Sequence, residues 1–111
     1  MNERLGHIDF SLLLQVDADL IQPQYLPQSF KMTHISHNLA DAGSPTAETI
    51  DIDDDGTNVV AAQDVSTAGL TELSTPIVFA KGSKISLDLN LTGGSTPTST
   101  GKVVLWGFWG E

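Results

Sequence analysis

Four apolar residues at every second position, Ile85, Leu87, Leu89 and Leu91, interrupted by Ser86, Asp88 and Asn90, constrain this chain more than any other feature. Side chains alternate across a β-strand, so a strict period of two buries one face and wets the other. The pattern occurs earlier as well: Ile8, Phe10, Leu12, Leu14 and Val16 alternate with Asp9, Ser11, Leu13 and Gln15. A helix over 9–22 competes there, capped by Asp9 and stopped by Pro23, with Leu12, Val16 and Leu20 on one face. The alternation favours the strand.

The remaining segments extend the same theme. Phe30 to Leu39 reads as a strand whose phase slips between His34 and Ile35, which suggests a bulge. Ala42-Gly43-Ser44-Pro45-Thr46 is turn chemistry, and Thr49 to Asp53 returns with Ile50 and Ile52 inward. Asp54-Asp55-Gly56-Thr57 carries the Asp-Gly pair favoured in tight hairpins, with Val59 and Val60 on the far arm. Pro76 to Phe79 makes a short strand, turned by Lys81-Gly82-Ser83, and Lys102 to Trp109 forms the last one. Residues 17–29 read as an irregular arm because Pro23, Tyr25 and Pro27 exclude a central strand. Residues 61–74 read as a loop or short helical turn, and 92–101 as a flexible polar loop. The expectation is one all-β domain over 1–111, an antiparallel β-sandwich or jelly roll with an irregular N-terminal arm.

Composition narrows the function. The chain has 111 residues, one domain's worth, with no cysteine to form a disulfide framework or thiolate metal site. Its net charge of −9 opposes a phosphate backbone, and its five basic residues are scattered, so no nucleic-acid partner is expected. No apolar run approaches the ~18 residues of a membrane helix. The polar start Met1-Asn2-Glu3-Arg4 is not followed by a signal-peptide pattern, which points to synthesis in a cytoplasm.

Each candidate for chemistry is incomplete. Asp51-Ile52-Asp53-Asp54-Asp55-Gly56 matches the first half of a calcium loop, where converging carboxylates would surround a hard cation. The bidentate Glu due at the twelfth position is Ala62, so an acidic hairpin tip is expected and no metal. Gly101-Lys102 follows a Gly/Thr-rich stretch, yet Thr96 replaces the first glycine of a phosphate loop and Val103 replaces its hydroxyl. His34 and His37 lie on opposite faces of a regular strand, which does not suit zinc. No nucleophile-elbow pattern occurs, and no inward His/Glu cluster of a jelly-roll hydrolase or isomerase is evident. Asn90-Leu91-Thr92 is a formal glycosylation sequon, idle without secretion. No enzyme and no cofactor are expected.

The carboxyl-terminal segment carries more information. In Val103-Val104-Leu105-Trp106-Gly107-Phe108-Trp109 both alternating faces are apolar: Val103 and Leu105 on one, Val104, Trp106 and Phe108 on the other. A small sandwich has one interior, so the second face needs a cover. Either the arm supplies it through Leu20, Ile21, Tyr25 and Leu26, or another chain does. Trp106, Phe108 and Trp109, three of the seven aromatics, are the residue types that interface centres favour. The candidate interface is therefore Trp106, Phe108 and Trp109 with Leu20, Ile21, Tyr25 and Leu26.

The run Ile50 to Thr57, the run Ile77 to Leu89 and the apolar last strand together resemble small jelly-roll proteins of tailed-phage virions. In that family a D-I-x-x-x-G-T hairpin, an x-x-G-D-x-I-x-L-x-V strand and a closing hydrophobic strand recur. The resemblance covers about residues 30 to 110; Ser83 and Lys84 stand where Asp is common, and 61–74 reads as an insertion. It implies a capsid decoration (cement) protein of a bacteriophage, a structural subunit, often a homotrimer, bound between major capsid proteins on the capsid surface. The alternative is a carbohydrate- or receptor-binding module of a tail fibre, which would use Trp106 and Trp109.

Overall fold

The computed structural model describes residues 4–15, 18–43, 46–94 and 97–110, the side chains of 12–22 and 42 excepted. Eight strands follow one another: β1 (Arg4–Gln15), β2 (Ala18–Tyr25), β3 (Phe30–Ala42), β4 (Ala47–Asp54), β5 (Thr57–Asp64), β6 (Gly69–Phe79), β7 (Lys84–Thr92) and β8 (Thr98–Trp109). They form two four-stranded sheets, β1-β8-β3-β6 and β2-β7-β4-β5, in which every pair is antiparallel. The pairs β1/β8, β2/β7, β3/β6 and β4/β5 are nested. The chain is thus one long hairpin, tipped at Asp55-Gly56, rolled so that successive pairs fall in alternate sheets. That is the strand order of a jelly roll.

The tip explains itself locally. Asp55 and Gly56 both have positive φ, 50° and 86°, as a two-residue type I′ turn demands, and Asp54 pairs with Thr57 across it. Asp55 also docks the tip, donating its N–H to Lys84 O and accepting from the Lys84 N–H, each at 2.9 Å.

The core lies between the sheets. Ile8, Phe10, Phe30, Met32, Ile35, Val103 and Leu105 enter it from one sheet, and Ile50, Ile52, Ile85, Leu87 and Leu89 from the other. The alternation that predicts β1, β4 and β7 is thereby the core pattern itself. The strand β1, Arg4–Gln15, and not a helix is what forms from the alternating run; the Leu12 and Leu14 side chains and residue Val16 lie outside the described residues. The expected bulge in β3 exists one residue earlier. Register shifts between Met32 and His34, leaving Thr33 unpaired and switching the inward phase from Phe30 and Met32 to Ile35 and His37.

Three segments differ from expectation. Residues 18–25 of the expected arm are an edge strand, β2, whose register with β7 slips on both sides of Ile21. An edge tolerates Pro23, because its missing N–H would face away from the ladder. Residues 61–74 belong to β5 and β6, joined by a turn at 65–68, and Thr98 to Gly101 already belong to β8. β5 and β6 are edges too, and most of their side chains are exposed, so period-two hydrophobicity is faint in them.

Candidate functional site: the outer face of the β1-β8-β3-β6 sheet

β8 lies between β1 and β3, so its odd-numbered residues face the core and its even-numbered ones face outward. β2 is in the opposite sheet and cannot cover that outward side. Cross-strand register arranges the outer face in rows. Leu5, Phe108, Lys31 and Val78 make the first row, and His7, Trp106, His34 and Glu72 the second. Asp9, Val104, Ser36 and Leu70 make the third, and Ser11, Lys102 and Asn38 lie beyond.

The face mixes apolar and polar residues, and its large apolar ones are mostly open to solvent. Leu5 is 73% exposed, Leu70 64%, Val78 64% and Trp106 36%, while Val104 and Phe108 are half-buried. All the large exposed hydrophobics noted among the described residues lie here except Tyr25. Trp106 is held in place: its Nε1 donates to Ser36 Oγ at 2.9 Å, and its ring leans on His7 with centroids 5.1 Å apart. Thr33, the bulged residue, donates its hydroxyl to Trp106 O at 3.3 Å. Leu70, His34, Ser36 and Trp106 line a shallow depression of 430 Å³. Lys31 Nζ stands 5.8 Å from the Phe108 ring centroid. A fixed, partly exposed indole is the kind of anchor on which association surfaces are built.

The candidate interface residues do not form one surface. Trp106 and Phe108 lie on this face. Trp109 points the other way, its ring 4.7 Å from Phe30 and seated where only a glycine at position 6 leaves room. Leu26 is a core residue, 4% exposed, fixed by Leu26 N–H to Ser83 O and Gly82 N–H to Leu26 O. Tyr25 is exposed at the rim of the sandwich, in a hollow shared with His7, Asp9, Gln24 and Trp109. The Leu20 and Ile21 side chains lie outside the described residues. Hence Trp106 and Trp109 do not act as a pair on one surface. Leu5, Leu70 and Val78 were not identified from sequence; they lie on the edge strands β1 and β6, and only the non-local register places them on one face.

The acidic tip is a structural device. Asp51 Oδ1 accepts the Ala62 N–H at 2.6 Å and pins a bulge in which Ala62 has φ 54°. Asp53 Oδ1 accepts from Asn58 Nδ2 at 3.2 Å, and Asp55 is occupied with Lys84. Burial raises the Asp53 pKa against the hydrogen bond from Asn58, and the neighbouring Asp88 and Asp51 charges push it the same way. No cluster of three or more His, Cys, Asp or Glu suited to a metal occurs among the described residues. Gly101-Lys102 lies inside β8, not at a helix start.

One buried polar group falls where none was anticipated. Glu48 is 1% exposed and His37 7%, both inward, with Ser99 close to the glutamate. Neither Glu48 oxygen, nor His37 Nδ1, nor Ser99 Oγ has a partner in hydrogen-bonding geometry. Burial pushes the Glu48 pKa up to about 7, and the Asp41 and Asp64 carboxylates add to that. An inward His and Glu are therefore present after all. The alternation of Glu48 with Ile50 and Ile52 carried that signal.

No family model matches the chain, and no curated protein does. A solved structure similar to it is the crystal structure of the infectious bursal disease virus VP2 subviral particle, a viral capsid protein, at 14% identity and a TM-score of 0.38. The likeness covers 94% of this chain, which spans 32% of that one.

Proposed function

We propose that this chain is a non-enzymatic structural subunit of a virion that works by assembling, and specifically a capsid decoration protein. The observation that carries the reading is the outer face of β8. A strand central to its sheet exposes Trp106 outward, with Leu5, Leu70 and Val78 exposed around it. Contiguous apolar patches on a soluble β-sandwich mark interaction surfaces. The hairpin pattern that resembles phage decoration proteins, and a jelly-roll strand order that this architecture requires, support the same reading. Its partners would be copies of itself and the major capsid protein.

The test is co-sedimentation of the purified protein with capsids that lack it. Saturable binding that also raises the temperature at which the shell opens is the expected result. A second reading, a carbohydrate-binding module, is favoured by one feature: an exposed indole flanked by His7, Ser36 and His34. Sugar rings stack on such surfaces while neighbouring polar groups hydrogen-bond their hydroxyls. Binding on a glycan array, with no binding to capsids, would favour it over decoration.

A further inference from the structure

We infer that the outer face of the β1-β8-β3-β6 sheet is self-complementary and pairs two copies of this chain face to face about a two-fold axis parallel to the strands. The inference rests on the assembly reading above and names the occupant of that face.

Charge selects the face first. The chain carries −9, so two copies repel through most of their surfaces. On the opposite sheet, Asp51, Asp53 and Asp88 alternate with core residues and face outward, against Lys84 alone. Apposing two such faces would stack like charges. The β1-β8-β3-β6 face instead balances Lys31 and Lys102 against Asp9 and Glu72, and contains the exposed apolar residues.

Register then selects the symmetry. An axis running between β8 and β3 exchanges β1 with the partner's β6 and β8 with the partner's β3, keeping each row opposite itself. Leu5 meets Val78, Phe108 meets Lys31, Trp106 meets His34 and His7 meets Glu72, each pair formed twice. These are an apolar pair, a cation on a ring, a ring on a ring, and an acid against an imidazole. Asp9 opposite Leu70 is the poor match, at a corner that the ~30° rotation between aligned packed sheets opens to water. The alternative axis, across the strands through the second row, would place Glu72 on Glu72 and Leu5 on Asp9. The first axis wins on chemistry, and an isologous contact of this kind closes at two copies.

Size sets the strength. Four strands ~4.8 Å apart and four rows ~7 Å apart cover roughly 500 Å² per copy. The roughly 1,000 Å² total is at the lower bound for a specific interface, so pairing is concentration-dependent.

The experiment is sedimentation velocity of the full chain from micromolar to near-millimolar concentration, with far-UV circular dichroism confirming each variant is folded. The wild type should shift from monomer to dimer. His7→Glu should weaken pairing about tenfold by apposing like charges, and Glu72→Lys should weaken it by removing the acid that meets His7. The double variant restores an opposite pair and should recover to within a few-fold of the wild type. A trimer, a monomer throughout, or a double variant as weak as the singles overturns the inference. Capsid co-sedimentation separates the two claims: binding by a chain that never dimerises defeats only the two-fold pairing, and a dimer that ignores capsids defeats only decoration.

Discussion

The two outer faces of this sandwich are built on the same alternating plan and differ in what they present. The β2-β7-β4-β5 face puts Thr49, Asp51, Asp53, Asp88 and Asn90 outward and uses its aspartates to hold a hairpin and a bulge. The β1-β8-β3-β6 face puts Leu5, Trp106, Phe108, Leu70 and Val78 outward, and Leu5, Leu70, Val78 and Trp106 stay exposed there. Burial in the core demands one apolar face per sheet and no more. An acidic outer face needs no partner; an apolar one costs hydration free energy for as long as it stays open. That difference is why the proposed assembly role is placed on the second face.

The largest expected effect contrasts two neighbours on β8. Leu105→Ala opens a cavity between the sheets and should cost ~2–5 kcal/mol of folding stability. Trp106→Ala, on the other side of the same strand, should cost about 1 kcal/mol, mainly through its bond to Ser36 and its contact with His7. Denaturant unfolding of both variants checks this, and equal losses would return Trp106 to a structural role.

Between the faces, Glu48 makes stability depend on pH. Its folded pKa of about 7 stands above the ordinary 4.5, so its contribution is fully present below the lower value and is lost as pH rises through the upper one. Glu48→Gln should flatten that decline and leave the variant more stable than the wild type above pH 7, by on the order of 1–3 kcal/mol. Thermal melts across this window decide it. A wild type that gains stability over the same rise would contradict the assignment.

The origin of these features shows what a sequence of this kind reveals. Strands that contribute a full inward row, such as β4 and β7, are legible because burial writes period two directly into Ile50, Ile52 and Ile85 to Leu91. The Asp55-Gly56 tip is legible because only a few residue types accept its φ values. The edge strands β2, β5 and β6 are not, since a strand bonded on one side and exposed along most of its length needs little hydrophobic signal. The site was legible in part. Two-sided apolarity marks Trp106 and Phe108; grouping Trp109 with them overlooks the phase it shares with Val103 and Leu105, where its indole meets Phe30. Leu5 comes from β1 and Leu70 and Val78 from β6, at the two edges of the sheet, and only the rolled topology brings them onto one face.

Smaller effects refine the acidic face. Asp53→Asn keeps an acceptor for Asn58 and removes one charge beside Asp88 and Asp51, so it should stabilise by about 0.5 kcal/mol, less at high salt. Melting at low and high ionic strength tests this; a loss of stability would mean the carboxylate has a use the hydrogen bond does not explain. Calcium should change nothing, because Asp51, Asp53 and Asp55 face different partners. A reproducible rise in melting temperature over a chelated sample would show that those carboxylates converge on an ion.

Covalent carbene footprinting, read residue by residue by mass spectrometry, puts the central contrast to the most direct test. The protein would be labelled dilute, concentrated and bound to capsids. Labelling should fall at Leu5, Leu70, Val78 and Trp106 on concentration or capsid binding, and hold steady at Thr49, Asp51, Asp53 and Asn58. Unchanged labelling of the apolar residues in every condition, or protection confined to the acidic face, would contradict the account.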